Sequence, residues 1–370
     1  MTLKNVKRIF VLGDLHLGVR NNSIEWSKIQ HDFLVDFFLK KIDEEGFDPE
    51  TDILIQLGDW HHVRESTNVR ILDLSLRIAN EFNKKFKRGV YVILGNHDVY
   101  YKDRVDVHSL LGFNDIFKNF NVFTEPTGLI VNQHKLLLLP WIESLEVLKN
   151  KVNENKSKYD YLFCHADIKG VSLTKSATLD HGLEADDLHG YKKIYSGHIH
   201  IRQESKNFIY TGTPYEMDRG DSGNIKGFYV LDVTGDKITH KFVENTVSPK
   251  YLRLEMYDLL NMKPSQIKRL FNNNFIDINI ESSLSKKVQF STFTDKVKDF
   301  GHRSLEFYPY THNQTIKKSE IEIGDDYEFN IFSILDHYLD QLSLQHSKRA
   351  ETYQYFKTLY DKINTQQKYR

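Results

Sequence analysis

The sequence has one cysteine, Cys164, so no internal disulfide can form and no cysteine-based metal site can be built. That fits a reducing compartment. Long hydrophobic runs are missing too: no stretch approaches the roughly 20 apolar residues that span a bilayer. The apolar run Ile9–Leu12 stops at Gly13-Asp14, too short and too soon acidic for a signal peptide. An excess of either charge is also lacking, since 50 Lys and Arg face 51 Asp and Glu for a net charge of −1. No global field announces a polyanionic partner, and any attraction to nucleic acid has to be local. There is no internal repeat and no low-complexity tail. What is present is 370 residues, 40% hydrophobic and 13% aromatic, enough to bury a full core in one large domain with smaller additions.

A single pattern recurs through the first two hundred residues. Short β-branched and aromatic runs at Arg8–Leu12, Ile53–Leu57, Val90–Leu94, Tyr159–Cys164 and Lys193–Ser196 each end in a small polar cluster, as buried strands do when they run into loops. Between them lie helical spacings: Trp26–Lys41, with Ile29, Phe33, Phe37 and Phe38 on one side, and Val69–Phe86, with Leu72, Leu76, Ile78 and Phe82. Alternating strand and helix predict a layered α/β domain whose crevice lies outside the carboxyl ends of its strands. Further strands are expected at Lys135–Leu139, Phe208–Thr211 and Phe228–Asp232, closing the domain near Asn245. Residues 249–318 carry twelve Lys or Arg against seven Asp or Glu, a separate small domain with a mild basic surplus. An acidic joint, Glu320–Asp326, precedes two helical stripes, Phe332, Leu335, Leu339, Leu342 and Tyr353, Phe356, Leu359, Ile363.

Five polar clusters follow strand ends: Asp14-Leu15-His16, Gly58-Asp59-Trp60-His61-His62, Gly95-Asn96-His97-Asp98, His165, and Gly197-His198-Ile199-His200. They mix carboxylate oxygen, imidazole nitrogen and one amide oxygen, a set suited to Mn²⁺, Fe²⁺ or Zn²⁺ rather than to Ca²⁺. Glycines before Asp14, Asp59, Asn96 and His198 let the backbone turn sharply toward an ion. A lone histidine beside a strand is more often a hydrogen-bonded core or surface residue, and His31, His134 and His240 are left with that reading. All five clusters arising by chance in this order is improbable. Asp98 either orients a neighbouring loop or is a turn residue. Trp60 is core packing or a stacking surface for a splayed base, and Cys164 is a small strand hydrophobe.

The order D-x-H, G-D-x-x-H, G-N-H-D, a lone H, then G-H-x-H resembles the calcineurin-like metallophosphoesterase superfamily, with every motif intact. The resemblance implies a layered β-sandwich with flanking helices holding two divalent ions, Mn²⁺ first, with Mg²⁺, Fe²⁺ or Zn²⁺ as alternatives. It implies that Asp14, His16, Asp59 and His200 hold one ion and that Asp59, Asn96, His165 and His198 hold the other. His97 would be the general acid, supported by His62, which stands three residues after the bridging Asp59 as in the SbcD/Mre11 branch. His61 has no such role.

Gly212-Thr213-Pro214-Tyr215 and Lys226-Gly227-Phe228 are similar to the G-[ST]-P-Y…K-G-F segment of SbcD/Mre11-type nucleases. Trp141 after Pro140 and the His181-Gly182-Leu183-Glu184 segment look closest to the recombination nuclease subunits of large tailed phages. That family implies double-stranded exonuclease and single-stranded endonuclease activity in DNA recombination and repair. It also implies an SbcC/Rad50-like ATPase partner, a homodimer within a heterotetramer, and a cytoplasmic location, the host's if phage-encoded. The three parts expected are a nuclease domain over 1–245, a small α+β cap over 249–318 that contacts DNA, and carboxyl-terminal helices over 327–370 that bind the ATPase. Lys286, Lys287, Lys296, Lys298 and Arg303 are candidate phosphate contacts, each equally readable as solvated surface. Helices Trp26–Lys41 and Val69–Phe86 are candidates for the homodimer contact. A phosphomonoesterase, or a scaffold without catalysis, would share the fold; His62 and the Gly212–Tyr215 segment argue against the first, and the intact ligand set against the second.

Overall fold

Along Arg8–Leu12 the side chains alternate between two apolar layers, Ile9 and Val11 in one and Phe10 and Leu12 in the other. A strand buried on both faces reads as an unbroken hydrophobic run, which is why these segments stand out in the sequence. The computed structural model describes residues 1–173, 177–281, 290–310 and 352–356. Its strands are β1 (Thr2–Leu3), β2 (Arg8–Leu12), β3 (Ile53–Gln56), β4 (Val90–Ile93), β5 (Phe120–Phe123), β6 (Thr127–Val131), β7 (His134–Leu139) and β8 (Tyr161–His165). They continue with β9 (Lys193–Gly197), β10 (Gln203–Glu204), β11 (Phe208–Tyr210), β12 (Gly227–Asp232), β13 (Thr239–Glu244), β14 (Tyr251–Glu255), β15 (Phe275–Glu281) and β16 (Ser304–Tyr310).

Two sheets stack face to face. One runs β13-β12-β2-β3-β4-β5 and the other β1-β6-β7-β8-β9-β11-β10. The layer between them is filled by Ile55, Ile93, Leu138, Phe163, Tyr195 and their neighbours. The outer face of the first sheet is covered by a helix running through Ile24–His31, Asp32–Phe38 and Leu39–Glu44, π-helical in its middle stretch, and by the helix Val69–Lys85. Ser23 and Asn68 cap their amino ends by accepting from Trp26 N and Arg70 N. Helix Leu145–Asn155 covers the second sheet. The result is the layered α/β sandwich expected, with β2, β3, β4 and β5 mutually parallel and β7, β8, β9 and β11 likewise.

The second helix differs in phase from its expected stripe. Ile71, Leu74, Ser75, Ile78, Ala79 and Phe82 are buried, while Leu72 is exposed. Its rotation is set where Trp60 Nε1 donates to Ser75 Oγ at 2.8 Å, which turns a serine inward and Leu72 outward.

Beyond Pro249, β14, β15 and β16 form a parallel sheet with its own apolar cluster, Met256, Leu259, Ile267, Phe271, Ile276 and Ile278 among it. Parallel strands need crossovers, here the helices Pro264–Phe271 and Phe290–Val297. The small sheet packs on the large domain through Phe275, stacked between Trp26 and Tyr251, and through Arg219, which pairs with Asp277 at 2.7 Å and Glu306 at 2.6 Å. Residues Met1–Thr311 form one compact unit and His312–Arg370 a second. Of the second, residues 352–356 are described and are helical; the acidic joint and most of the two stripes lie outside the described residues. No helix among the described residues is long and apolar enough to cross a membrane.

Candidate metal centre

The carboxyl ends of β2, β3, β4, β8 and β9 meet at one edge of the sandwich. Asp14 and His16 follow β2, Asp59 follows β3, Asn96 and His97 follow β4, His165 ends β8, and His198 and His200 follow β9. Backbone bonds lock the first two loops together: Leu15 N and His16 N donate to Asp59 O at 3.0 and 2.8 Å, and His62 N to Leu17 O at 3.0 Å. Glycine is required where the loops touch, since a Cβ on Gly95 would lie 2.2 Å from Asp59 Oδ1 and one on Gly58 2.6 Å from His165 Nδ1. His16, Asp59 and His198 have φ of +47°, +53° and +85°, a left-handed conformation costly for side-chain-bearing residues and concentrated at functional sites.

Ligand atoms of Asp14, His16 and His200 lie within 4.8 Å of one another, as do those of Asp59, His165 and His198. His16 Nε2 stands 3.0 Å from His200 Nε2 and 3.5 Å from Asp59 Oδ2, and the same Asp59 oxygen is 3.5 Å from His165 Nε2. The Asp59 carboxylate therefore lies between the two groups. Asn96 Oδ1 is 2.9 Å from both His165 Nε2 and His198 Nδ1, which are 3.2 Å apart. Atoms bound to one ion at about 2.0–2.2 Å stand about 3 Å apart.

Hydrogen bonds on the far side of each ring fix the tautomers. His165 Nδ1 faces Leu57 O at 2.7 Å, and a carbonyl can only accept, so Nδ1 carries the proton and Nε2 presents a lone pair inward. His198 Nε2 is 2.9 Å from Asp167 Oδ1, which leaves Nδ1 as its inward lone pair. With both rings neutral, three acceptors, two imidazole nitrogens and the Asn96 oxygen, converge. A divalent cation fits such a set. Burial opposes protonation of His165, yet Asp59, Asp14 and the Leu57 carbonyl outweigh it and push the imidazole up to about 9, so the field that would hold a cation holds a proton there in its stead. Burial and the neighbouring imidazoles of His200, His97 and His62 hold His16 well below its usual range, despite Asp59, which keeps it neutral and able to ligate.

The calcineurin-like phosphoesterase family model matches residues 7–202. The chain belongs to that family. It is 26% identical to "Exonuclease subunit 1" of Enterobacteria phage T4 over 302 residues, covering 78% of this chain and 84% of that one. It is 21% identical to "DNA double-strand break repair protein Mre11" of Nanoarchaeum equitans over 250 residues, 60% of this chain and 66% of the other. With its nuclease relatives, this member of the phosphoesterase family is a metal-dependent phosphodiesterase, and the SbcD/Mre11-like character read from its motifs has relatives of that kind.

Other residues of this phosphoesterase take defined places around the centre. His97 Nδ1 donates to His62 O at 2.6 Å, and the two rings lie nearly parallel, 5.4 Å apart. His97 N donates to Asp59 Oδ1 at 2.8 Å. His62 Nδ1 is 3.3 Å from His16 Nδ1, so His16, His62 and His97 form a further trio of converging nitrogens. Asp98 accepts from Gly95 N, Trp60 N and His61 N at 2.9, 3.3 and 3.1 Å, binding two site loops together, and burial followed by Asp59 pushes it up to about 7. Trp60 is fully buried against Phe82, Phe113 and Phe120 and offers no face to a base. His61 bonds Ser109 Oγ at 2.8 Å and is pushed down to about 4 by burial. Cys164 is buried, pushed up to about 12 by burial.

The segments similar to SbcD/Mre11 nucleases act as clamps. Tyr215 Oη donates to Leu15 O, which also receives Gln30 Nε2 at 3.0 Å, and Thr213 N donates to His200 O at 3.1 Å. Lys226, buried, donates to His200 O and to Asp221 Oδ1, both at 2.6 Å. Asp167 was not singled out from the sequence. It holds His198, and is itself held where Leu183 N donates to Asp167 O at 2.9 Å, in the His181–Glu184 segment. Burial raises Asp167, but the His198 imidazole outweighs it and leaves the carboxyl below its usual range. An acid two residues beyond the candidate ligand His165 was the available signal. Removing an outer partner of a ligand histidine costs about 10–100-fold in metal affinity. Asp167→Ala is therefore expected to weaken divalent-metal binding at the group of Asp59, His165 and His198 by that factor in calorimetry.

Proposed function

We propose that this chain is the two-metal DNA nuclease subunit of an SbcCD/Mre11-Rad50-like complex, an exonuclease on double-stranded ends and an endonuclease on single strands. The observation that carries the reading is the convergence of His165 Nε2, His198 Nδ1 and Asn96 Oδ1 beside an Asp59 carboxylate that faces a second histidine group. On it, Asp14, His16, Asp59 and His200 hold one ion, and Asp59, Asn96, His165 and His198 the other. Bound there, two divalent cations, Mn²⁺ first, supply Lewis-acid activation of water and neutralise the phosphate oxygens.

The protein's own groups do the rest. His97 has its Nδ1 proton committed to the His62 carbonyl, so Nε2 is the free ring nitrogen, and the imidazolium form, with a second proton on Nε2, is the one that hands a proton to the leaving oxygen. His62 supports it through that carbonyl and through the parallel ring. DNA attraction is local: Lys296 and Lys298 are exposed beside the small sheet and suit phosphate contact. Arg303 bonds Asn273 Oδ1 at 3.0 and 2.8 Å and Glu25 Oε1 at 2.7 Å, which makes it a tether between the small sheet and the helix Ile24–His31. Lys286 and Lys287 lie outside the described residues. The homodimer reading is supported by Val69 and Leu72, apolar side chains exposed on the candidate helix Val69–Phe86, and by Ile24, exposed just ahead of Trp26–Lys41.

The deciding assay offers labelled linear duplex DNA, circular single-stranded DNA and a phosphoserine peptide to the protein with Mn²⁺, with and without the ATPase and ATP. Cutting of both DNAs with the peptide intact is expected; brisk dephosphorylation with intact DNA would make the protein a phosphomonoesterase. A chain truncated after Asp326 should keep its metals and lose the ATPase, and undiminished ATPase binding by that chain would remove the carboxyl-terminal region from the interface.

A further inference from the structure

Beside the metal centre, between the loop that follows His97 and the loop that follows β7, opens a cleft of about 680 Å³. Most of its exposed surface is apolar, contributed by Val99, Val105, Pro140, Trp141, Ile142 and Val147 among others, with charged side chains interspersed. Pro140 and Trp141 belong to the segments that resemble phage nucleases, but the chemistry derived above does not use the cleft. We infer that this cleft receives one unpaired base of the strand being cut, stacked on Trp141, next to the phosphate at the metal centre. This rests on the nuclease reading and extends it to the substrate's unpaired bases.

Position comes first. Trp141 leaves the carboxyl end of β7, whose neighbour β8 ends in His165, and its backbone N donates to Leu94 O at 2.8 Å, one residue before the Gly95-Asn96 turn. Its ring lies 4.8 Å from the His198 ring and 6.0 Å from that of His165, while it also lines the cleft. A group in the cleft is therefore within one nucleotide of the reacting phosphate. The opposite wall begins at Val99, two residues after His97, in a turn closed by Tyr100 N donating to Val107 O at 3.0 Å.

Chemistry selects the occupant. The rim cations are engaged by carboxylates, Lys102 with Glu143 at 3.8 Å, Arg104 with Asp106 at 3.3 Å and Lys151 with Glu154 at 3.8 Å, so the rim is not a phosphate trap. Glu143 also accepts from Trp141 Nε1 at 3.3 Å, holding the indole in place. A mostly apolar floor, an oriented indole and polar groups at the mouth match a flat heterocycle with a hydrogen-bonding edge. Stacking tolerates any base, which suits a nuclease without sequence preference. A base inside a duplex cannot enter without unpairing, so the cleft would favour single strands, frayed ends and flaps.

The test reads binding apart from catalysis. Trp26 and Trp60 are buried, so Trp141 is the tryptophan whose fluorescence reports on solvent and ligand. The full chain in chelator is titrated with a short single-stranded oligonucleotide and with an oligomer of the same length built of abasic residues. The base-bearing strand should quench the emission and bind roughly five- to 150-fold more tightly. Followed instead by the anisotropy of a dye on each oligomer, Trp141→Ala should erase that difference and Trp141→Phe keep most of it, whereas a purely structural role would leave the preference in place in both. With Mn²⁺, a single abasic residue flanking a unique cut site should slow cleavage when placed on one side only. Equal binding of the two oligomers, or cutting indifferent to an abasic residue on either side, would overturn the cleft while leaving the nuclease reading intact. Intact DNA alongside metal-dependent hydrolysis of a phosphopeptide would end both.

Discussion

Asp59→Asn is expected to leave a folded protein that retains at most one Mn²⁺ and loses roughly 10³–10⁴-fold in turnover, the scale of several kcal/mol of charge stabilisation. Asparagine is the informative substitute. Residue 59 has φ +53°, which Asn tolerates far better than Ala, and the Asn oxygen can still accept from His97 N. What disappears is the charge that faces His16 and His165 at 3.5 Å each. Metal content by mass spectrometry separates this from misfolding, because circular dichroism and the thermal midpoint of the metal-free variant should stay close to wild type near pH 9. A variant with two tightly held ions would remove Asp59 from between them.

The metal-free wild type carries a linked expectation in pH. The His165 imidazole is raised to about 9, burial opposing and Asp59 leading the groups that raise it, against about 6.5 when unfolded. A raised folded value stabilises fully below the unfolded one and is lost as pH climbs through the folded one. Stability of the metal-free protein should therefore fall by a few kcal/mol between about pH 6.5 and 9. Asp59→Asn should flatten that fall, as seen by urea denaturation across the range.

Much of this centre was legible because of how parallel strands are buried. Arg8–Leu12, Val90–Leu94 and Lys193–Ser196 read as hydrophobic runs since both their faces are covered, and each run stops where the polar clusters begin. The edge strands did not announce themselves. Phe120–Phe123 has one buried residue and three half-buried ones, and Thr239–Glu244 is mostly polar outside its pairing with β12, so neither carries a periodic signal. Asp167 was hidden for a different reason: an aspartate in a loop looks the same whether it caps a turn or holds a histidine, and only the 2.9 Å approach of His198 Nε2 distinguishes them. The cleft was hidden most completely, since its walls come from residues near 100, 125, 140 and 150 brought together by two different sheets. Helix phase was the remaining gap. Leu72 and Ile71 are equally apolar, and the choice between them is made by Trp60 bonding Ser75, a contact between remote segments.

His97→Ala should lower turnover by about 10²–10⁴-fold, the range for a positioned acid, while both Mn²⁺ sites fill as in wild type. The separation is expected because His97 contributes no atom to either of the two four-residue ligand sets, and its backbone N–H to Asp59 survives truncation. His62→Ala should be milder, on the order of tenfold, the lower end for loss of a supporting partner. Its bond to His97 Nδ1 comes from the residue 62 carbonyl, which every substitution keeps, and only the parallel ring is lost. The double variant should then be little slower than His97→Ala alone, since the support has nothing left to act on. A DNA substrate with a good leaving group at the scissile bond, such as a bridging phosphorothioate, sharpens the reading. A thiolate needs no proton to depart, so it should restore most of the loss in His97→Ala. Failure of that rescue, with both ions bound, would mean that His97 orients the phosphate rather than protonating the leaving oxygen.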